Sequence, residues 1–498
     1  MLRIAQLDAV ARQRARVHLS DAARARMERC YGFLQRLADT GVPVYGLTTG
    51  CGPLASQPIP PERREEFQRN LVRSHAASLG APHPTPYVRA AMALRAHVLA
   101  RGHSGVDPYC VELVAAMLNG GIHPVVREVG SVGASGDLVE LAQLALAVLG
   151  EGSVEVGGGT FSAAQALRDI DHAPLVPRFR EGLALMNGTS FHSAAAALLL
   201  ARAARVAEAA QIAAAMSLEA LHGAAEALDP ALHAARPHPG QVRVAATLRR
   251  LTAGSTLLRR DPASAATQDA YTLRCIPQVL GTVLDILATA GTTVELELQA
   301  VSDNPLFLVD EERVVHGGNF HGQPVAMALD HLKMALVELG VLTERRLARL
   351  LDATLSGLPP FLIRDGAGLR SGFMGLQYCA SSMAADNAVL AMPASVHSVP
   401  TNAGNQDVVS MGMVAARQAR HVLDNVARVV AIELLCVAQA LDLRGAHAAG
   451  AGTRAAYDVI RARSAPLLED RPVADDVDAI GAMVEDETIQ RAVVAATT

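Results

Sequence analysis

Long helical patterns dominate the second half of the chain. Residues 192–222 contain no glycine or proline, and their alanine and leucine side chains fall on more than one helical face. The same character recurs at residues 278 to about 300, 323 to about 355 and 410 to about 443. A helix that is apolar on several faces must be surrounded by other helices. The pattern therefore predicts a mainly α protein built as a bundle of long helices.

Strand patterns are few and short. Residues 154–156 and 160–161 flank a glycine-rich turn, and residues 306–309 precede a polar turn and a second apolar run. We expect two small hairpins at the periphery of the helices. The first 190 residues mix shorter helical stretches with loops, so we divide the chain into an N-terminal region, 1–190, and a long-helix region, 191–498.

Composition and charge narrow the classes of partner. Half of the 498 residues are hydrophobic and 19% are charged, which allows a large core and apolar contacts between subunits. The net charge of -5 and the lack of a basic run argue against nucleic acid and anionic membranes. The six cysteines show no CxxC pair, and no signal-peptide or membrane-spanning pattern is present. We expect a cytoplasmic protein that acts on a small molecule.

A loop punctuated by glycines, GSVGASGDLVELAQLALAVLG at 130–150, stands directly before an apolar helical pattern, with Asp137 at the N-cap position. Small residues allow a bend so tight that the amide nitrogen of Gly136 can attack the carbonyl carbon of Ala134. Loss of water from this ring and from the Ser135 side chain would leave a methylidene conjugated to an imidazolone. No ordinary side chain supplies such an electrophile, although Ala-Ser-Gly alone is a weak signal in this chain.

Further sequence blocks occur in a fixed order along the chain. They are VYGLTTGCG at 44–52, NLVRSHAASLG at 70–80, EGLALMNGTS at 181–190, QDAYTLRCIPQ at 268–278, SDNP at 302–305, GGNFHGQP at 317–324 and NQDVVSMG at 405–412. With these blocks the sequence resembles, nearly end to end, the histidine, phenylalanine and tyrosine ammonia-lyases and the related aminomutases. The resemblance implies their long-helix fold, a homotetramer with shared active sites, and a 4-methylidene-imidazol-5-one (MIO) group formed autocatalytically from Ala134, Ser135 and Gly136.

The resemblance also implies roles for single residues. Tyr45 matches the tyrosine that removes the β-proton while the substrate amine adds to the methylidene, and Tyr271 matches a second active-site tyrosine. Because a free tyrosine has a pKa of about 10, we expect nearby positive polarity to stabilise the Tyr45 phenolate. Arg274 matches the residue whose planar fork binds the substrate carboxylate. The other expected binding residues are Ser74, His75, Asn187, Gln268, Asn319, Phe320, Asn405 and Gln406.

For some of these residues a purely structural role is an alternative. Asn187, Gln268, Asn319 and Phe320 could equally make structural contacts. In the loop of Tyr45, Cys51 departs from the family pattern.

Two pairs of histidines are candidate metal ligands. His316 and His321 flank GGNF, and His233 and His238 lie in HAARPH. Neither spacing resembles a zinc site, and no nearby cysteine or glutamate completes one. We therefore expect no protein-bound metal.

The substrate is the least determined feature. His75 can hydrogen-bond either an imidazole or a phenol. Histidine lyases usually carry glutamate where this chain has Gln406, and GDLVELAQ resembles bacterial tyrosine lyases. We therefore expect L-tyrosine to give trans-4-coumarate and ammonia, with L-phenylalanine to cinnamate in second place. The alternatives are a histidine ammonia-lyase that forms urocanate, a tyrosine 2,3-aminomutase, and a non-catalytic helical scaffold whose loop never cyclises.

Overall fold

The computed structural model describes residues 2–259 and 268–498, and these residues are mainly α-helical. The helices in the first part of the chain are α1 Ile4–Arg12, α2 Asp21–Asp39, α3 Arg64–His75, α4 Thr85–Leu99, α5 Pro108–Asn119, α6 Leu138–Val148, α7 Ala163–Arg168 and α8 Glu181–Met186. Those that follow are α9 Ser190–Ala220, α10 Pro230–Ala234, α11 Pro239–Leu251, α12 Tyr271–Arg274, α13 Ile276–Glu297, α14 Gln323–Leu351, α15 Ala353–Ser356, α16 Met374–Leu390, α17 Gly412–Arg444, α18 Ala451–Arg463, α19 Ala474–Glu485 and α20 Thr488–Thr497. The predicted fold class is confirmed.

The four longest helices are those that the hydrophobic pattern predicts. They are α9, α13, α14 and α17, and their ends lie within a few residues of the predicted ones. Alanine is frequent in α9 and almost all of its alanine side chains are buried. Small side chains let neighbouring helices approach closely, so a helix of this composition suits the centre of a bundle.

Short antiparallel strands accompany the helices. They are β1 Leu79–Pro82, β2 Ile122–Pro124, β3 Arg127–Val129, β4 Ser153–Val156, β5 Gly159–Ser162, β6 Leu306–Leu308 and β7 Arg313–Val315. The predicted hairpins are present as β4 with β5, where Val154 faces Phe161, and as β6 with β7. The hydrophobic pattern did not predict the β1–β3 and β2–β4 pairs. Strands of three or four residues are too short to show an alternating pattern.

The chain divides into two compact units. The first comprises residues 1–201, 290–330 and 393–417, and the second comprises 202–289, 331–392 and 418–498. The boundary predicted at residue 190 describes a change of sequence character, and it coincides with the first residue of α9. As a domain boundary it stays a prediction.

Among the described residues, α13 is long and apolar enough to cross a membrane by length and composition alone. This is weak evidence, because the core helices of many proteins pass the same test. Asp285, Glu295 and Glu297 also interrupt its apolar pattern.

A buried ion pair lies in the core of the second unit. Arg346 of α14 donates two hydrogen bonds of 2.8 Å to the carboxylate of Glu433 of α17, and both side chains are fully buried. The Ser217 hydroxyl donates to the same carboxylate at 2.8 Å. Because both charges are removed from water, each depends on the other for its stability in the core.

Replacement of Arg346 by leucine should therefore destabilise the fold strongly. The variant leaves the Glu433 carboxylate buried without its counter-charge, which costs about 3–5 kcal/mol of unfolding free energy. Urea unfolding followed by circular dichroism measures this loss. The control is Arg313→Leu, which breaks an exposed pair with Glu311 and should cost at most about 1 kcal/mol. Equal losses in the two variants would contradict the prediction.

Candidate active site

The first unit contains a cavity of about 1260 Å³. All of its lining residues belong to that unit, and many of the candidate residues are among them. The candidates that line the cavity are Tyr45, Ser74, His75, Ala134, Ser135, Asn187, Phe320, Asn405 and Gln406. Residues from every quoted sequence block except QDAYTLRCIPQ at 268–278 line this cavity.

The Ala134–Ser135–Gly136 segment forms a tight turn on the cavity wall. Ser135 has a φ of 50°, and the flanking Gly133 and Gly136 have φ of 91° and 79°. The Gly136 N–H points back to the Gly133 carbonyl at 3.3 Å. A Cβ on Gly136 would lie 2.1 Å from the carbonyl oxygen of Gly188, so only glycine fits at this position. The small residues are therefore present, and the segment is bent back on itself between Gly133 and Gly136.

The backbone of Gly188 holds the turn from the other side. Its N–H donates to the Ser135 carbonyl at 3.0 Å, and its carbonyl accepts from the Asp137 N–H at 2.8 Å. Gly188 has a φ of 135°, and an added Cβ would lie 2.0 Å from the Ser302 carbonyl oxygen. Gly188 of the NGTS block is thus hydrogen-bonded to Ser135 and to Asp137 and holds the turn in its bent conformation.

Asp137 occupies the predicted N-cap position of α6, but its side chain makes no capping bond to that helix. Its carboxylate instead accepts the N–H groups of Phe191 and His192, each at 2.8 Å, in the first turn of α9. It also binds Nδ1 of His192 at 2.7 Å. Burial lowers the pKa of His192, but Asp137 first, and then the charges of Glu297 and Glu140, raise it, and the net shift is upward. Asp137 therefore stabilises the start of a different helix from the one expected, because unpaired N–H groups favour an anion there.

The environment of Tyr45 differs from the expected one. The Gly52 N–H donates to the Tyr45 hydroxyl at 2.8 Å, and the Cys51 thiol makes a hydrogen bond with the same hydroxyl. Burial first, and then Cys51, raise the pKa of Tyr45 to about 12, while the Gly52 N–H and the charge of Arg180 act against this. The expected stabilisation of the phenolate is therefore not provided within this chain. Desolvation outweighs the two favourable contacts.

Asn187 is held by a buried ion pair that the sequence analysis missed. Both terminal nitrogens of Arg180 bind the carboxylate of Asp303 at 2.8 Å, and the Asn187 side-chain amide donates to the same carboxylate at 2.8 Å. Burial raises the pKa of Asp303, but Arg180 more than compensates and lowers it. In the sequence, Arg180 directly precedes the EGLALMNGTS block and Asp303 lies inside the SDNP block. Two opposite charges in or next to these blocks were therefore the sequence signal for this ion pair.

Gln406 lies against the Ala134–Ser135–Gly136 turn. Its side-chain nitrogen donates to the Ser135 hydroxyl at 3.4 Å, and its side-chain oxygen accepts from the Thr401 hydroxyl at 3.2 Å. These two contacts fix the orientation of the amide, with the N–H side toward Ser135.

His75 has a defined tautomer. Its Nδ1 lies 2.8 Å from the carbonyl oxygen of Leu71 and 3.1 Å from the Ser74 hydroxyl. Because a carbonyl can only accept, Nδ1 carries the proton and Nε2 of the neutral ring is an acceptor. The Ser74–His75 pair therefore supplies one acceptor nitrogen at the cavity wall.

The remaining candidates lie outside the cavity lining. Gln268, Tyr271 and Arg274 belong to the second unit, where the Tyr271 side chain is 69% exposed and the Arg274 guanidinium lies 4.6 Å from the centre of its ring. Gly136 lies on the inner side of the turn, and Asn319 is exposed next to the lining residue Phe320. Tyr271 and Arg274 are not among the residues that line the cavity.

The histidines considered for a metal have other surroundings. His316 and His321 line the cavity, whereas His233 of the second unit binds the Ala227 carbonyl and the side chain of Gln241. In the described ranges no three or more histidine, cysteine or acidic residues form a group suited to a metal ion. That the protein needs no metal stays a prediction.

The chain is similar to known proteins over nearly its whole length. A family model described as aromatic amino acid lyase matches residues 2–462. A histidine ammonia-lyase of Symbiobacterium thermophilum is 48% identical over 492 residues, which cover 99% of this chain and 97% of the relative. The solved tyrosine aminomutase of Streptomyces globisporus is 38% identical, with a TM-score of 0.95 and coverage of 99% and 97%. The solved histidine ammonia-lyase of Trypanosoma cruzi is 37% identical, with a TM-score of 0.92 and coverage of 99% and 94%.

The expectation that L-tyrosine is the substrate and trans-4-coumarate the product is wrong. Relatives at 41% to 48% identity are named histidine ammonia-lyase. The expectation rested chiefly on Gln406, whose amide is neutral. A neutral amide both donates and accepts, so it can pair with the N–H and with the unprotonated nitrogen of an imidazole. The lack of a negative charge at position 406 therefore does not exclude an imidazole.

The raised pKa of Tyr45 predicts a late ionisation. The unfolded chain should lose this phenolic proton near pH 10 and the folded chain only near pH 12, so folding stability falls as the pH rises through that window. The difference between the ultraviolet titrations of the folded wild type and Tyr45→Phe isolates the group. A difference step below about pH 9 would contradict the geometry described for this loop.

Proposed function

Because the chain belongs to the aromatic amino acid lyase family, we propose that it is an ammonia-lyase that converts L-histidine to urocanate and ammonia. The observation that carries the reaction class is the bent Ala134–Ser135–Gly136 turn, which shares a cavity with Tyr45. The choice of L-histidine is supported by the 48% identity to a protein named histidine ammonia-lyase.

We propose MIO, formed from Ala134, Ser135 and Gly136, as the prosthetic group. The residues present fit it, because Gly136 has no room for a side chain and the turn is already bent toward ring closure. This group supplies an electrophilic carbon that helps the substrate's amino group to leave. Gly188 would hold it in place through its backbone bonds to Ser135 and Asp137, and Asp137 through its carboxylate, which accepts two N–H groups of α9.

Tyr45 is proposed to take the β-proton of the substrate at its phenolic oxygen. With a pKa of about 12, roughly one Tyr45 in 100,000 would be ionised at pH 7, so the chain alone provides a weak base. The Gly52 N–H already donates to this oxygen and would stabilise the phenolate. A further positive charge near the oxygen is needed for proton removal, and the bound substrate must bring it.

The imidazole of L-histidine matches the polar groups of the cavity wall. Neutral imidazole has one N–H donor and one acceptor nitrogen. Nε2 of His75 can accept the N–H, and the amide of Gln406 can donate to the other nitrogen. These two residues are proposed to orient the ring, while the fork of Arg274 binds the carboxylate.

A homotetramer with shared active sites is the proposed assembly. Tyr271 and Arg274 do not line the cavity of their own chain, yet Tyr271 exposes 69% of its side chain on the second unit. Large apolar side chains of α16 are also exposed, including Tyr378 and Val389. Apolar surface of this kind favours contact with another copy, which can then supply Gln268, Tyr271 and Arg274.

A cytoplasmic location is proposed as well. It is supported by the six free cysteines, since thiols stay reduced in the cytoplasm.

The substrate proposal predicts turnover of L-histidine. Purified protein is offered L-histidine, L-tyrosine and L-phenylalanine separately, and the conjugated product is followed by absorbance while chromatography detects any β-amino acid. We expect urocanate from L-histidine and at least about a hundredfold lower kcat/KM for the other two, since their rings lack the two-nitrogen pairing. Turnover of L-tyrosine without L-histidine would overturn the proposal, and Ser135→Ala should abolish turnover.

Shared active sites predict that two inactive variants restore each other. When Tyr45→Phe and Arg274→Leu chains are produced together, about a quarter of the sites combine an intact Tyr45 with an intact Arg274 from another copy. The mixture should therefore regain up to about a quarter of wild-type activity. The matched control mixes Tyr45→Phe with Ser135→Ala, which lie in the same cavity, and should stay inactive. No recovery in the first mixture would contradict shared sites.

A further inference from the structure

A buried serine touches both ends of the reactive turn. The Ser131 hydroxyl accepts the Gly133 N–H at 3.1 Å and donates to the Gly136 carbonyl oxygen at 3.1 Å. The side chain is buried and lines the cavity wall. The reaction proposed above gives it no task, because its hydroxyl is already engaged by the backbone of the turn.

A buried glutamate holds this serine in turn. Glu140, on the first turn of α6, accepts the Ser131 N–H at 3.2 Å through one carboxylate oxygen. Its other oxygen has no hydrogen-bond partner among the described residues. Burial, and then the charge of Asp137, raise the pKa of Glu140 to about 8. Near neutral pH the side chain is therefore mostly protonated, and an amide of the same shape could replace it.

We propose that Ser131, positioned by Glu140, is the clamp that keeps the turn bent while the prosthetic group forms. This inference rests on the proposed function, which requires ring closure. The clamp draws Gly133 and Gly136 toward each other across the turn, and the Gly136 N–H lies 3.3 Å from the Gly133 carbonyl. Both residues act on the conformation of the turn, so they are positioning residues.

The reaction that the clamp assists is balanced without an oxidant. The Gly136 nitrogen bonds to the Ala134 carbonyl carbon, and that carbonyl oxygen leaves as water with the hydrogens of the Gly136 and Ser135 nitrogens. A second water takes the Ser135 hydroxyl and the hydrogen on its Cα, which leaves a carbon–carbon double bond. Because the first step joins two groups of one flexible loop, holding the loop bent raises its rate.

The test follows ring closure by intact mass, which needs no substrate. Freshly produced chains are sampled over time, and the fraction that has lost two waters is measured. Ser131→Ala removes both clamp bonds, so ring closure should slow by about tenfold or more. The matched control is Ser78→Ala. Ser78 is also buried and packs against Gly130, but its hydroxyl has no hydrogen-bond partner among the described residues.

Two variants of Glu140 test the second half of the clamp. Glu140→Gln keeps an oxygen that can accept the Ser131 N–H and should mature at the wild-type rate. Glu140→Leu removes that acceptor and should mature more slowly. Circular dichroism and thermal unfolding report on folding, and if Ser131→Ala does not fold, the Glu140 pair decides the outcome.

The outcomes separate the clamp from the prosthetic group itself. A folded Ser131→Ala chain that loses two waters at the wild-type rate would overturn the clamp alone, as would equal slowing in Ser78→Ala or equal rates in the two Glu140 variants. A wild-type chain that never loses two waters would overturn the prosthetic group and the clamp together.

Discussion

The carboxylate of Asp137 is the contact on which the site depends most. It follows the reactive turn directly in sequence, and its oxygens bind two N–H groups and the His192 ring at the start of α9. One end of the turn is thereby tied to the longest run of buried alanine in the chain. A turn anchored to a helix with buried side chains is held in its positive-φ conformation by the packing around that helix.

Burial sets the charge state of the groups around the turn. It raises the pKa of Tyr45 to about 12 and that of Glu140 to about 8, so both favour their protonated forms near neutral pH. For Glu140 this suits a neutral hydrogen-bond acceptor, and for Tyr45 it opposes action as a base. Desolvation thus keeps Glu140 neutral, as the proposed clamp requires, but makes Tyr45 a weak base. The charge that strengthens this base must then come from a group that does not line the cavity.

The cavity of the first unit is lined by some of the candidate site residues and not by others. It contains the turn, Tyr45, His75 and Gln406, whereas Arg274 belongs to the other unit and does not line it. Assembly with a second copy, as proposed above, would supply the carboxylate-binding fork that this cavity lacks.

The sequence by itself determined the long helices, the two hairpins and the set of small residues at the turn, because these follow from local periodicity and from the steric needs of a bend. Its assignment of the substrate from Gln406 failed, since one neutral amide suits several rings. Only the tertiary structure decided that Asp137 stabilises α9, that Ser131 spans the turn and that burial raises the pKa of Tyr45. The Asp137 contact joins segments distant in sequence, the Ser131 contacts depend on the folded shape of the turn, and the pKa of Tyr45 depends on desolvation, so none of the three leaves a pattern in the sequence.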